Sequence, residues 1–175
     1  ALCSVLEGSW AADRYRDNTV EVLIPMARFF FPRARLLALR LPADFSSYET
    51  GKALAETAKA LGRRLAVLGS TDLTHYGRNY GFSPRGEGQR ALAWVREVND
   101  RRFIDAVLSG DAGAVLSRAE EELSACSAGA VLGALGFVQA GGRRSAPELL
   151  AYGTSADVDG EVPDSFVGYA AIGWK

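Results

Sequence analysis

The most informative stretch of the chain is residues 65–76, which read LAVLGSTDLTHY. It opens with a short apolar run, Leu65–Leu68, and small polar residues follow at once. Short apolar runs bounded by turn residues are typical of buried strands. With helices predicted on both sides, the pattern favours an α/β fold with a largely parallel central sheet flanked by helices. Ligands in such sheets gather at the carboxyl ends of the strands, so residues 69–76 are the first candidate site.

Helices and strands are predicted outward from this stretch by the spacing of apolar residues. The predicted helices have apolar residues at helical spacing: residues 48–61, residues 89 to about 107, residues 111–123 and residues 126–140. The predicted strands are short apolar runs: residues 35–41, 65–68, 149–152 and 166–174. The small residues of 126–140 further predict a helix packed closely against a sheet. Residues 77–88 are rich in glycine and predicted as a loop, without the Lys-Ser/Thr of a phosphate-binding loop.

Length and composition predict a single domain over residues 1–175. The chain is 48% hydrophobic and 23% charged, with a net charge of -1, values near the average for globular proteins. Because 20 Lys and Arg stand against 21 Asp and Glu, no overall field attracts phosphate, and nucleic acid is not predicted as a partner. No run of about 18 apolar residues occurs, so neither a membrane span nor a membrane partner is predicted.

The cysteines and the start of the chain bear on its location. Cys3 and Cys126 are the two cysteines, which is not the pattern of a disulfide scaffold, and no signal peptide is visible. A reducing, cytoplasmic compartment is therefore predicted. The chain begins at Ala1 and its single methionine is Met26, so we expect either a processed start or a part of a longer protein.

The single histidine, His75, is the first candidate for chemistry. It follows a predicted strand, where an imidazole that titrates near neutral pH is suited to proton transfer. Asp72 precedes it by three residues and would orient the ring if this turn were helical. The alternative is a capping turn, in which Ser, Thr and Asp cap a helix and His75 lies in its first turn. A triad with Ser70 is not predicted, because the three residues lie too close in sequence and no Gly-x-Ser-x-Gly elbow occurs.

Cys126 is the second candidate. A thiolate is stabilised at a helix start and binds soft or borderline metals. The alternative is plain packing, since free cysteine is often buried and an Ala/Gly-rich segment follows. Upstream, Asn18 and Glu21 have the spacing of a capping box. They lie at the start of an apolar segment, residues 19–31. This segment is predicted as a helix or buried segment that is kinked at Pro25 and ended by Pro32.

Five segments, taken in order, resemble those of the Memo-like proteins. They are residues 17–22 with the following Ile24-Pro25, residues 70–76, Ala125-Cys126, residues 152–157 and residues 167–171. The first resembles the family's Glu-His-Ser-Val-Glu and the apolar run after it, and the second resembles its Ser-Ser-Asp-Leu-Ser-His-Tyr. The third resembles the Cys that opens a helix further along the chain, and the last two resemble the closing strands.

The resemblance implies a fold like that of the class III extradiol ring-cleaving dioxygenases, to which Memo-like proteins are related. In those enzymes two His and a carboxylate hold a non-haem iron, and a further His acts as acid and base. Memo-like proteins are similar but have Cys as the third ligand. By position, the resemblance implies that His75 is the acid/base His and that Cys126 is a metal ligand, and the spacing of Asp72 to His75 adds an orienting carboxylate. Asn18 stands where the second ligand His would be, and the first belongs to an N-terminal portion that this chain does not show.

The cofactor implied by the resemblance is Fe(II) or another divalent metal, and a site without metal is the alternative. The oxygen of Asn18 is a poor substitute for imidazole on iron. In addition, Ser127 replaces the Gly that follows the Cys in the family. The site is therefore predicted to resemble a non-haem metal site that has lost part of its ligand set.

Three functions are consistent with this pattern. The first is a Memo-like pocket that has lost strong metal binding and takes a small molecule or a protein partner. The second is an active metal-dependent oxidoreductase of the dioxygenase type. The third is a non-catalytic interaction module with a groove edged by Tyr76, Tyr80 and Phe82, although these aromatics are equally suited to the core.

Overall fold

The computed structural model describes residues 11–12, 14, 18–142, 146–158 and 161–174. Its helices are α1 (Asn18–Glu21), α2 (Leu23–Phe30), α3 (Phe45–Ala60), α4 (Gln89–Trp94), α5 (Asp100–Ser109), α6 (Ala112–Glu121) and α7 (Ala128–Ala140). Its strands are β1 (His75–Gly77), β2 (Glu148–Thr154) and β3 (Ser165–Gly173). A π-helical segment, Val95–Asn99, joins α4 to α5, and 3-10 turns cover Arg78–Tyr80 and Ser155–Asp157. The helices predicted downstream of residue 48 and the two closing strands are confirmed. None of these helices, over the described residues, has both the length and the apolar character to cross a membrane.

Capping residues set the ends of several helices. Asp44 precedes α3, and its carboxylate accepts a hydrogen bond from the Ser46 amide at 2.8 Å. Asp111 caps α6 in the same way, since its Oδ1 accepts from the Ala114 amide at 2.9 Å. Gly110, with a left-handed φ of 72°, ends α5 just before it. Such acceptors satisfy the free amides of a first turn, and glycine takes the left-handed turn without strain.

Residues 19–31 form parts of two helices rather than one kinked helix. A turn at Val22 separates α1 from α2, and Pro25 lies in the first turn of α2, where a missing amide loses no helical hydrogen bond. The break therefore comes before the proline and not at it. Asn18 is the exposed first residue of α1, and its backbone carbonyl accepts from the Val22 amide at 2.9 Å.

The described strands form one sheet in the order β1-β3-β2, and both pairings are antiparallel. His75 pairs with Val167, and Thr154 pairs with Gly168. The α/β class is confirmed, but the prediction of a largely parallel central sheet is wrong for these strands. β2 returns to β3 through a short connection, whereas parallel neighbours need a crossover of about a dozen residues or more.

The runs predicted as buried strands at 35–41 and 65–68 lie in described segments to which no strand or helix is assigned. The strand predictions are wrong, and so is the predicted burial, because the exposed fraction is 54% for Leu37 and 70% for Leu68. An extended run becomes a strand only where another strand satisfies its backbone polar groups. The apolar spacing of a run carries no information on whether that partner is present.

The closest packing partner of α7 is another helix. A Cβ on Gly51 of α3 would come within 1.9 Å of the Gly133 carbonyl oxygen, and one on Gly136 within 2.0 Å of the Tyr48 carbonyl oxygen. The small residues of α7 therefore bring the backbones of α3 and α7 into contact. The closest approach of this helix is therefore to α3 and not to a sheet, although Leu149 of β2 and Ile172 of β3 pack against the same apolar cluster, and the small residues allow close packing as predicted.

The stretch before and within β1 is fixed by two apolar clusters. Leu73 is 4% exposed and packs into the cluster formed by α5, α6 and α7. Tyr76 is 1% exposed and stacks on Phe166 with ring centroids 5.1 Å apart, in the cluster that includes residues of α4 and the π-helical segment. His75 lies between these two buried side chains and is therefore held in place on both sides.

Candidate metal centre

Three side chains with metal-binding atoms come together where the segment before β1 meets the start of α7. The carboxylate of Asp72, the imidazole of His75 and the thiol of Cys126 each offer one atom, and these atoms all lie within 4.8 Å of one another. Asp72 Oδ2 lies 3.3 Å from His75 Nε2. Asp72 and His75 are half-buried and Cys126 is exposed, so the cluster is accessible from solvent.

The cluster has two arms, the segment that carries Asp72 and His75 and the segment that carries Cys126, and hydrogen bonds join them. The Cys126 amide donates to the Asp72 carbonyl at 3.2 Å, and the Ser127 amide donates to Thr71 Oγ1 at 2.9 Å. Thr71 Oγ1 also lies 3.7 Å from Cys126 Sγ. Because Ser127 is the N-cap residue of α7, the start of this helix is fixed against the segment that carries Asp72. Sequence reasoning gave Thr71 no role in this arrangement.

His75 and Asp72 are in contact, although the turn between them is not helical. His75 is the first residue of β1 and pairs with Val167 of β3, so the alternative of a capping turn with His75 in a helix is wrong. Partial burial, and then the negative charge of Asp72, raise the pKa of the Tyr169 hydroxyl.

Cys126 lies two residues before α7 and is exposed. The alternative in which its thiol fills the core is therefore wrong. The segment around it is nevertheless well anchored, because Ser124 is 0% exposed and Ala128 is 2% exposed. An exposed thiol on an anchored segment, beside a carboxylate and an imidazole, is available to a metal ion.

Asn18, predicted at the position of a ligand His, is exposed on α1. Among the described hydrogen bonds, none joins its side chain to the three clustered residues. Its role as a metal ligand stays a prediction. Asp17, which opens the first family-like segment, and Cys3, which was given no role, lie outside the described residues.

A cleft of about 240 Å³ opens beside the cluster. Besides His75 and Cys126, the residues that line it are apolar or aromatic: Leu73, Tyr80, Phe82, Leu123 and Ala125. The ring centroids of Tyr80 and His75 are 4.8 Å apart. Apolar clefts with a few converging polar groups are typical of small-molecule sites, and drug-sized ligands occupy about 300–1,000 Å³. The cleft therefore suits a ligand smaller than these.

The aromatic groove predicted from Tyr76, Tyr80 and Phe82 forms only in part, because Tyr80 and Phe82 line the cleft and Tyr76 does not. Tyr76 is 1% exposed, and its hydroxyl donates to the Gly86 carbonyl at 2.9 Å. Phe82 packs against the same core cluster, while Tyr80 is 46% exposed. The alternative that these aromatics belong to the core is confirmed for Tyr76, whereas the half-buried Phe82 both packs on the core and lines the cleft.

Sequence reasoning missed a buried polar network behind the cluster. Thr74 and Asp100 are 0% exposed and Asn99 is 2% exposed. Asp100 accepts from the Thr74 amide at 3.0 Å and from the Tyr152 hydroxyl at 2.7 Å, and Asn99 Nδ2 donates to Thr74 Oγ1 at 2.9 Å. Burial raises the pKa of the Asp100 carboxyl in spite of these bonds. The available signal in the sequence is an Asn-Asp pair inside a predicted amphipathic helix.

The sequence of the chain is similar to those of known proteins along nearly its whole length. The family model for Memo-like protein matches residues 11–173. A MEMO1 family protein of Pyrococcus abyssi is 32% identical over 164 residues, covering 89% of this chain and 55% of the relative. One of Pyrococcus horikoshii is 30% identical over 164 residues, covering 89% and 55%. One of Methanococcoides burtonii is 28% identical over 173 residues, covering 97% and 59%. The chain thus spans little more than half the length of these curated relatives.

Proposed function

The chain belongs to the Memo-like protein family, and on that premise we propose that it binds a metal ion through Asp72, His75 and Cys126. The observation that carries the proposal is the convergence of a carboxylate, an imidazole and a thiol within 4.8 Å. Thiolate and imidazole suit zinc, iron and copper, and a carboxylate adds an oxygen ligand. Three protein ligands leave a coordination position open, which is typical of catalytic zinc sites rather than structural ones.

The proposal includes Fe(II) as the metal and an oxidoreductase of the dioxygenase type as the activity. The support is the resemblance to extradiol dioxygenase-like proteins together with the donor set, and the same resemblance supports that fold. The proposed cytoplasmic location rests on the low cysteine content instead. A bound metal would supply Lewis-acid and redox chemistry at its open position. The chain itself would bind a small ligand in the cleft, where the side chains of Leu73, Phe82 and Leu123 exclude water from its apolar part.

A second version of the function keeps His75 free of metal. Asp72 Oδ2 lies 3.3 Å from His75 Nε2, and a carboxylate in this position orients an imidazole for proton transfer. In this version Asp72 orients the ring through Nε2, His75 takes or gives a proton at Nδ1, and Cys126 holds a metal weakly or holds none. The asparagine at Asn18, in place of a ligand His, favours this weaker site.

Counting bound metal tests the proposal. The protein is purified without oxygen, loaded separately with Fe(II), Zn(II) and Cu(I), freed of excess metal and measured for metal per chain. We expect about one equivalent in the wild type and loss in Cys126→Ser, because the thiolate is the softest donor of the cluster. Cys3→Ser is the matched control and keeps its metal. A wild type that retains none of the three metals contradicts the proposal and leaves binding of a small molecule or a protein partner as the alternative.

A further inference from the structure

The backbone that carries His75 is anchored from behind by a buried carboxylate. Asp100, the first residue of α5, is 0% exposed. Its Oδ1 accepts hydrogen bonds from the Thr74 amide, at 3.0 Å, and from the Thr74 hydroxyl. Its Oδ2 accepts from the Tyr152 hydroxyl at 2.7 Å. Because Thr74 directly precedes His75, these bonds fix the point at which β1 begins.

Strand β3 leaves room for this carboxylate. A Cβ on Gly168 would come within 1.9 Å of Asp100 Oδ2, so a side chain at this position would displace the carboxylate. The Gly168 amide donates to the Thr74 carbonyl at 3.0 Å, and its own carbonyl accepts from the Leu73 amide at 2.9 Å. Both backbone polar groups of Thr74 are therefore held, the amide by Asp100 and the carbonyl by β3.

Asn99 extends the network to the segment that carries Cys126. Its Nδ2 donates to Thr74 Oγ1 at 2.9 Å and to the Glu122 carbonyl at 3.0 Å. Leu123, the next residue, has a φ of 50°, a left-handed conformation that is unfavourable for a side chain branched like leucine's. Strained residues persist where the surrounding structure holds them. The bond at Glu122 therefore stabilises a strained segment that lines the cleft.

The helix that carries this pair is irregular at the same place. The π-helical segment Val95–Asn99 ends at Asn99, and α5 begins at Asp100. Successive residues of a regular helix point about 100° apart, yet the side chains of Asn99 and Asp100 both bond to Thr74. π-Helical turns are frequent at functional sites, and this one places two adjacent polar side chains on the same partner.

We propose that Asn99 and Asp100 are positioning residues for the cluster of Asp72, His75 and Cys126. Asp100 holds Thr74 and therefore the arm that carries His75. Asn99 links that arm, through Thr74, to Glu122 in the arm that carries Cys126. The inference rests on the proposed function, because it takes the cluster to be a metal site. A buried carboxylate costs free energy unless its hydrogen bonds offset the loss of water. The hydrogen bonds of this carboxylate fix the orientation of Thr74 as well as its distance, whereas apolar packing is not directional.

Co(II) is the probe that tests the inference, because thiolate binding gives this ion a charge-transfer band in the near ultraviolet. Asp100→Asn keeps the shape of the side chain and removes its charge, and Tyr152→Phe removes one donor to Oδ2. Ser47→Ala is the matched control, since Ser47 is also 0% exposed and donates to the Pro42 carbonyl, but from α3. Urea unfolding measures the stability of each variant. Titration with Co(II) measures its affinity for the ion and the position and intensity of the charge-transfer band.

We expect Asp100→Asn to weaken Co(II) binding by about tenfold or more and to change the band, because residues that orient metal ligands have effects of about 10–100-fold. Tyr152→Phe should act in the same direction by less. Ser47→Ala should lower the urea midpoint and leave affinity and band unchanged. An Asp100→Asn variant that is less stable but binds Co(II) like the wild type overturns the inference, because Asp100 is then structural only.

A metal-free measurement separates this inference from the proposed function. If the wild type binds no Co(II), the proposed metal site fails, and the ring signals of His75 decide the positioning role. The chain has a single histidine, so these NMR signals are assigned at once. Positioning predicts that Asp100→Asn shifts or broadens them and that Ser47→Ala does not, whereas unchanged signals overturn it. If Asp100→Asn does not fold, Tyr152→Phe and Asn99→Ala are compared in the same way.

Discussion

At the scale of single residues, His75 has two roles open to it, and metal content separates them. Its ring lies against Asp72 and Tyr80, and a metal and a proton compete for the same imidazole. We expect His75→Ala to lose bound metal as Cys126→Ser does, because removing either leaves two ligands of the cluster. The measurement is metal per chain beside Cys3→Ser as the control. Full metal content in His75→Ala would instead assign the ring to proton transfer.

Asp100 should make the stability of the fold depend on pH. Burial raises its pKa above the ordinary value of 3.8, so the folded state holds the proton to a higher pH than the unfolded state does. Its contribution to stability is then greatest below that value and is lost as the pH rises through the raised folded-state pKa. We expect the stability of the wild type relative to Asp100→Asn to fall in urea unfolding as the pH rises through the acidic to neutral range.

The opposite slope in that comparison would contradict the direction of the Asp100 shift. A relative stability that rises with pH means that the hydrogen bonds from Thr74 and Tyr152 outweigh burial and lower the pKa. The second titrating partner does not interfere, because burial, and then the charge of Asp100, raise the pKa of the Tyr152 hydroxyl far above this range.

The candidate site was predictable from the sequence only in part. Asp72, His75 and Cys126 lie in segments that resemble a known family, and the structure brings their ligand atoms within 4.8 Å. Asp100 was not found because its partners are distant, Thr74 by 26 residues and Tyr152 by 52. The value of a buried charge depends on such partners, and no local pattern records them.

At the scale of elements, the contact between α3 and α7 depends on glycine. A Cβ on Gly51 would come within 1.9 Å of the Gly133 carbonyl oxygen, so Gly51→Ala must push the two helices apart. We expect it to lower the free energy of unfolding by about 1–3 kcal/mol, as overpacking does. Gly113→Ala in α6 is the matched control, because its Cβ would meet nothing closer than Asp111 Oδ1 at 3.4 Å.

Urea unfolding of the two glycine variants decides the point. Alanine is the better helix former by up to about 1 kcal/mol, so Gly113→Ala should not lose stability. If Gly51→Ala is as stable as the wild type, the helices tolerate a wider separation than the contact implies. In that case the small residues of α7 do not set its position behind Cys126.

The elements show where sequence patterns are sufficient. Helices over 48–61 and 111–123 follow from apolar spacing and local caps, which a chain segment carries by itself. The closing strands β2 and β3 are also close in sequence, since residues 155–164 join them. The runs at 35–41 and 65–68 carry the same apolar signal, but pairing is a property of two segments. For the same reason the apolar runs could not predict that the described strands pair antiparallel.

At the scale of the whole molecule, one part of the described surface is strongly apolar. Residues 22–37 contain exposed large hydrophobic side chains: Val22, Ile24, Met26, Phe29, Phe30, Phe31, Leu36 and Leu37. The Arg28 guanidinium donates to the Ala34 carbonyl at 3.0 Å, so α2 and the segment after it lie side by side. Soluble monomers rarely expose a contiguous apolar patch of more than a few hundred Å². This patch should therefore govern how the chain behaves in solution.

We expect the chain to associate through residues 22–37 as its concentration rises. Phe29 is 80% exposed and Phe30 is 69% exposed, so replacing both with serine removes apolar surface without opening a cavity. Stability should change by less than about 0.5 kcal/mol for each substitution, while the mass measured by light scattering should become independent of concentration. Val158→Ser is the matched control, because Val158 is 86% exposed but lies in another part of the chain. A wild type that stays monomeric at every concentration and binds no hydrophobic dye would mean that residues 22–37 are covered by the chain itself in solution.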